Sequence, residues 1–339
     1  MDRTGRPARI KDVAARAGVS PGLVSRLLNN DPTLTIRPET RQSVLDAVRD
    51  LDYVPDSTAT ALRKSRTDAI GLVLKHITNP VFADIVHGAQ SAAAEVGCAL
   101  LLIDADEVER GSRSFEAMLK AHRMDGLLLQ GGYGPGDDLL LRYTTMVPSV
   151  IVNSTGTDTA AGVRLRDSLA TRLATQYLVE LGHEDIAFVA GPPSTASDTR
   201  IAGFVDALTE AGITPNKSAV IPAGWEADEG FAGVSLSIRN GYRPSAYVVG
   251  SSGAALGVLS ALFHAGIRVP EDVSVIGVHD AWFTPYLSPA LSTVALPLFE
   301  LGRQSVLQLM SHIRDGKPDD LVIMDPDPLL VVRDSTARR

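Results

Sequence analysis

The sequence predicts an α/β protein in which a small all-helical head precedes a larger body of parallel sheets covered by helices. Three observations predict it. Short continuous apolar runs alternate with helix-length segments from Asp68 onward, the pattern of strands buried on both faces. The chain has 339 residues, too many for one ordinary core, with 45% hydrophobic and 21% charged residues. Its charge is also divided: residues 1–66 hold 12 Lys and Arg against 8 Asp and Glu, a balance of +4. The whole chain stands at −8, so the remainder stands at −12. A basic head on an acidic body points to a nucleic-acid partner for the head.

The head begins with "IKDVAARAGVSPGLVSRLLNN", residues 10–30. Ile10, Val13, Ala14 and Ala17 make the apolar stripe of a first amphipathic helix, and Gly18 stands where a left-handed residue would end it. Val19 plugs the junction. Ser20 offers a hydroxyl cap and Pro21 suits the first turn of a second helix, whose inward stripe is Val24, Leu27 and Leu28. A third helix is predicted from Pro38 to about Leu51, with Val44, Leu45, Val48 and Leu51 facing inward. Three short helices with a glycine turn between the first two fit a helix-turn-helix, though a plain three-helix bundle could show the same stripes.

In the body, "AIGLVL", "ALLLI", "GLLLQ", "SVIV", "IAFVA", "AYVVG" and "VSVIGV" read as strands. Helices are expected near 81–96, 168–181, 199–211 and 253–265. About 270 residues of this pattern exceed one such unit, so two α/β lobes are expected.

Several function classes find no support in the sequence. One cysteine, Cys98, excludes an internal disulfide framework. The first eleven residues are polar and basic, and no run approaches the ~18 apolar residues of a membrane span. A cytoplasmic protein with no membrane partner is the expectation. "QGGYGPG" (130–136) follows a strand but lacks the dinucleotide fingerprint, and Asp137 and Asp138 would repel phosphates, so no cofactor is expected. There is no Gly-x-Ser-x-Gly elbow, no His-Glu-x-x-His and no clustered metal-ligand set. No catalytic or metal residues are assigned.

"IKDVAARAGVS", "VSRLLN", "PETRQSVLDAVRDLDYVP" and "ATALR" together resemble the head of the LacI/GalR family of transcription regulators, in the family's order and near its spacing. "TNPVFADIVHGAQSAAAEVG", "LGHEDIAFVAGP", "TRIAGFVDALTEAG", "GIRVPEDVSVIGV", "LSPALSTV" and "LLVVRDST" resemble its effector domain, which is akin to type I periplasmic sugar-binding proteins. The resemblance spans about residues 10 to 337. It implies a helix-turn-helix head over 1–54, a hinge helix and linker over 55–67, and a two-lobed, periplasmic-binding-protein-like effector and dimerisation domain over 68–339. It also implies operator DNA, a small-molecule effector and a second copy of the chain as partners. Whether dimers join into tetramers stays open.

For the DNA, the family's base readers match Pro21, Gly22 and Arg26, with Arg26 able to grip guanine O6 and N7 in bidentate fashion. A phosphate contact is the other role open to Arg26. Ser20, Ser25 and Asn29 are candidates for phosphate contacts, and Leu62 matches a leucine wedge in the minor groove. Gly22 stands where a polar side chain is usual and cannot read a base.

For the effector, the loops after the strands retain Asn79, Phe82, Asp104, Arg200 and Trp225. They replace a usual Asp-Arg by Asn153-Ser154, a usual Asn-Asp by Ser251-Ser252, and the first of two aspartates by His279, leaving Asp280. Leu296 stands where glutamine is usual near a crossover. The loss of carboxylates points away from a plain neutral sugar. A cytosolic small-molecule-binding protein, or a regulator that has lost effector control, are the rival readings.

Overall fold

The computed structural model describes residues 8–28, 31–53, 66–131 and 141–339. Contacts divide the chain into two units, Met1–Thr67 and Asp68–Arg339. Asn29, Leu62 and most of the 55–67 segment lie outside the described residues, as does most of the glycine-rich loop after Gly131.

In the first unit α1 (Ile10–Ala17), α2 (Pro21–Leu28) and α3 (Pro38–Asp50) follow the stripes in the sequence. Gly18 takes the left-handed conformation, φ 68°, and Val19 N–H closes back on Ala14 C=O at 3.0 Å. Val13, Ala14, Val24, Leu27, Val44 and Ala47 form the buried core. One expectation fails: Leu45 is 40% exposed, and Ala47 takes the inward place. In a helix of 3.6 residues per turn, Val44 and Ala47 share a face, and Leu45 is rotated ~100° from Val44.

The second unit holds two six-stranded sheets. Its first lobe is built from β1 (Ala69–Leu74), β2 (Ala99–Asp104), β3 (Gly126–Gln130), β4 (Ser149–Val152) and β5 (Ala161–Arg164). Helices α4 (Phe82–Glu95), α5 (Ala105–Arg110) and α6 (Ser112–Lys120) join these strands. The second lobe begins with α7 (Asp167–Glu180), β6 (Ile186–Ala190), α8 (Thr195–Glu210) and β7 (Val220–Pro222). It continues through α9 (Ala227–Arg239), β8 (Ala246–Val249), α10 (Ser252–His264), β9 (Ser274–Val278) and β10 (Ser292–Ala295). The chain then returns to the first lobe as α11 (Leu298–Asp315) and β11 (Leu321–Val322), and ends in the second as β12 (Leu329–Val331).

The sheet orders are β11-β5-β4-β3-β1-β2 and β12-β10-β9-β8-β6-β7. All pairings are parallel except β10 with β12, so the last strand is an antiparallel edge on a parallel sheet. β1, β3, β4, β6, β8 and β9 are buried almost throughout, which is why they read as continuous apolar runs. β2 is an edge strand, with Leu101 and Leu102 exposed.

The helices that pair across each lobe are held backbone to backbone. A methyl group built on Gly88 of α4 would sit inside the carbonyl of Phe299 on α11, and one on Gly302 of α11 inside that of Ile85 on α4. The second lobe repeats the device, with Gly257 of α10 against Ala227 of α9 and Gly230 of α9 against Ala254 of α10. Only hydrogen fits in such contacts, and the obstacle is main chain that no rotamer change can move. Gly88→Ala is therefore expected to lower unfolding free energy by at least the upper part of the ~1–3 kcal/mol overpacking range. Denaturant titration measures this as a lower midpoint at unchanged slope.

Candidate functional site

The outward face of α2 is polar where its inner face is apolar. Ser20, Pro21, Gly22 and Arg26 are exposed, while Val24 and Leu27 are buried. Ser20 caps the helix: its Oγ accepts from Leu23 N–H at 3.2 Å, and its own hydroxyl proton can still be donated outward. Ser25 lies half-buried beside them. Arg26 is engaged within the head, its Nε donating to Asp31 Oδ2 at 2.7 Å and its Nη2 to Thr33 Oγ1 at 3.0 Å.

In the second unit the carboxyl ends of the strands in both lobes converge on a cleft. Asn79, Phe82, Asn153, Arg200, Trp225, Ser251 and His279 all line it. Asp104 and Asp280 do not. Asp104 caps α5 through Asp106 N–H at 2.9 Å. Asp280 accepts from Nη1 (2.7 Å) and Nη2 (2.9 Å) of Arg333 and from the hydroxyls of Thr284 and Thr293. Burial works to raise the pKa of Asp280, but these hydrogen bonds outweigh it and leave the carboxyl below its usual value. Its partners are all from its own lobe, so it serves that lobe's framework.

Arg200 organises the cleft floor. It is 3% exposed and lies 2.6 Å from Asp167, at the start of α7. Its Nη1 donates to Gly250 C=O, and Nη2 points at His279 Nε2 at 3.2 Å. The guanidinium lies over the Trp225 ring, 4.9 Å from its centroid. The indole in turn rests on Gly191, where any side chain would collide with it. The expected ligand-gripping arginine is thus neutralised and nearly saturated by its own lobe.

That pairing fixes the chemistry of His279. A guanidinium only donates, so Nε2 must accept, and the neutral ring carries its proton on Nδ1. Nδ1 is buried and has no partner among the described residues. Burial first, and then the charge of Arg200, hold the His279 pKa well below 6.5. Its backbone is left-handed, φ 73°, and Asn153 matches it in the other lobe with φ 57°. Each donates its main-chain N–H to the next strand, Asn153 to Val163 and His279 to Val294. Non-glycine residues held at positive φ on a cleft rim mark spots where side-chain direction outweighs backbone ease.

The remaining polar groups are oriented by donors. Gln130 Oε1 accepts from Lys75 N–H at 3.1 Å, and Asn153 Oδ1 from Leu165 N–H at 3.4 Å, which turns each NH2 group away from those contacts. Asn79 donates to Glu226 Oε1 at 2.7 Å, a bond between the two lobes. Ser251 Oγ donates to Trp225 C=O and accepts from Gly253 N–H, which makes it a helix cap. Among the described residues the lining therefore contains uncommitted donors and no uncommitted carboxylate. Val81, Ile85, Val152 and Leu298 supply apolar wall.

Sequence reading missed Gln130, although its place at the end of β3 was a usable signal. It also missed Asp167, for which no local signal exists. Among the described residues no group of three His, Cys, Asp or Glu could hold a metal ion, and no helix is long and apolar enough to cross a membrane.

Residues 9–56 match the model of the bacterial regulatory proteins of the lacI family, and residues 175–336 that of a periplasmic binding protein-like domain. The chain is 32% identical over 335 residues to the HTH-type transcriptional repressor PurR of Edwardsiella ictaluri, covering 97% of each chain. It is 33% identical over 334 residues to PurR of Photobacterium profundum, covering 97% of this chain and 98% of the relative. The chain belongs to the LacI family. It is a LacI-family DNA-binding regulator with its effector domain C-terminal to the head. A LacI-family regulator from Mycobacterium smegmatis superposes with a TM-score of 0.74 at 37% identity, over 79% of this chain and 99% of that one. The lac repressor dimer bound to operator and an anti-inducer superposes with 0.79 at 26% identity, over 98% of this chain and all of that one.

Two outcomes follow from the cleft of this LacI-family chain. Asp167→Ala strands Arg200 without a counter-charge and is expected to cost ~3–5 kcal/mol in equilibrium unfolding, the range for breaking a buried ion pair. His279 stays neutral when folded, so below pH ~6.5 the unfolded chain takes up a proton that the folded chain refuses. Stability is then fully present above that pH and falls as the pH drops towards the folded value. His183, lowered by burial, adds to the same trend. Melting temperatures of His279→Gln between pH 7 and 5 are expected to fall less steeply than those of the parent chain.

Proposed function

We propose that the chain is a cytoplasmic, non-enzymatic repressor that binds a near-palindromic operator as a homodimer, with an effector in the interlobe cleft adjusting that binding. In this reading residues 1–54 grip DNA, 55–67 form the hinge with Leu62 as its wedge, and 68–339 sense and dimerise. Arg26 reads a base, and Ser20, Ser25 and Asn29 hold phosphates. The observation that carries it is the exposed polar face of α2, presented by a stable apolar core on a head of opposite charge to the body. Two-fold symmetry pairs two such heads with two half-sites. Apolar side chains exposed on edge strand β2, Leu101 and Leu102, support a second copy as partner.

The cleft supports an effector that presents hydrogen-bond acceptors to Gln130, Asn153 and His279 and an apolar body to Phe82 and Trp225. It disfavours a plain neutral sugar, whose hydroxyls donate most strongly to carboxylates. Ligand and operator bind with a coupling free energy, typically ~1–3 kcal/mol and reciprocal. One observation favours a second reading, a regulator without effector control: Arg200, Asn79 and Ser251 spend their polar atoms inside the protein.

Selecting genomic duplexes on the full-length protein, followed by sequencing, tests the proposal. Enrichment of a sequence with inverted half-sites is the expected result, and enrichment of none sinks it. A thermal-shift screen of metabolites then separates the two readings. A ligand that raises the melting temperature and changes affinity for the selected duplex supports the first. A melting temperature that moves for none supports the second.

A further inference from the structure

Arg26 stands in a tightly closed set of hydrogen bonds whose geometry goes beyond capping. Asp31 Oδ2 takes Nε at 2.7 Å and Thr33 Oγ1 takes Nη2 at 3.0 Å. Thr33 donates both its backbone N–H (2.9 Å) and its hydroxyl (2.6 Å) to Asp31 Oδ1. Asp31 N–H in turn donates to Arg26 C=O at 3.1 Å, so the two residues are tied through main chain and side chain at once. Both carboxylate oxygens of Asp31 are used. Its carboxyl is held down to about 2, by the Thr33 hydrogen bonds first and then by Arg26, so the set stays charged at neutral pH.

A guanidinium has two edges that can grip a pair of acceptors. One is formed by Nε and the hydrogen of Nη2 parallel to it, the other by Nη1 and the second hydrogen of Nη2. Asp31 and Thr33 occupy the first. Among the described residues none accepts from Nη1, and the side chain is 49% exposed on α2, so no described residue covers the second edge. That edge is the fork that matches guanine O6 and N7.

We infer that Asp31, together with Thr33, is a specificity-determining positioning residue: it holds Arg26 by one guanidinium edge so that the other is presented to guanine. The inference rests on the proposed reading of Arg26 as a base contact. Two physical effects give the arrangement its value. A tethered fork has fewer rotamers to lose on binding and cannot swing to a neighbouring phosphate. A carboxylate at 2.7 Å also offsets the charge of Arg26, so its attraction to any duplex is small and its geometry is what remains.

The test compares full-length protein with Arg26→Ala, Asp31→Asn and Thr33→Val by selection from a randomised duplex library, with affinity for one random duplex measured alongside. Asp31→Asn keeps an oxygen for Thr33 but removes the charge. Arg26→Ala is expected to lose preference in one base column of each half-site. Asp31→Asn is expected to lose roughly threefold to tenfold of the preference in that same column. It should also bind the random duplex about twofold more tightly, because the charge of Arg26 is freed. Thr33→Val should show the same column effect to a smaller degree. A purely structural role for Asp31 would instead weaken all columns together and lower the melting temperature, and that result overturns the inference. So does an Asp31→Asn variant with the column unchanged while Arg26→Ala loses it. If Arg26→Ala weakens every sequence equally, the reading of Arg26 as a base contact fails and the inference falls with it.

Discussion

A charge taken out of water has to be matched where it lies, and in this protein that requirement sets the shape of the cleft. Arg200 is buried on α8, so Asp167 must come up from α7, a carbonyl must turn in from the end of β8, and an imidazole must offer a lone pair from the end of β9. These demands draw four parts of the second lobe to one point before any ligand is present. Among the described residues they leave the cleft lining with no unpaired charge. What it offers outward is direction: amide and imidazole donors whose orientation is already decided by donors behind them.

The head solves a related problem on the surface. Arg26 is half exposed and could satisfy itself with water, yet it too is matched by an aspartate. Exposed pairs of this kind add little to stability, so the pairing matters mainly for where the side chain points. Buried or exposed, each arginine has its charge compensated and its plane fixed. In the first case the outcome is a rigid floor, in the second a fork facing outward.

Most of the architecture was legible because burial writes itself into sequence. Strands covered on both faces show as uninterrupted apolar runs, and the head helices show as stripes with Gly18 and Ser20 at their junction. β5, β7, β11 and β12 are two to four residues long and carry too few side chains to make a period. Leu45 was misplaced because its two apolar neighbours on the stripe, Val44 and Val48, leave it one step round the helix. Within the site, residues that follow strands were easy to propose, and their partners were not. Nothing local marks Asp280 as bound to Arg333, 53 residues away, or Ser251 as a cap. The tie from Arg200 to Asp167 is likewise a matter of tertiary geometry that a one-dimensional reading does not contain.

The glycine contacts between α4 and α11, and between α9 and α10, carry a mechanical consequence. Where the main chains touch at these glycines there is no side-chain layer to shear, so sliding of one helix past the other is resisted there. Compliance is left to the thin places where the chain passes from one sheet to the other: before α7, before α11 and between β11 and β12. A displacement begun at the rim is then carried along stiff members as rotation, with little of it dissipated on the way.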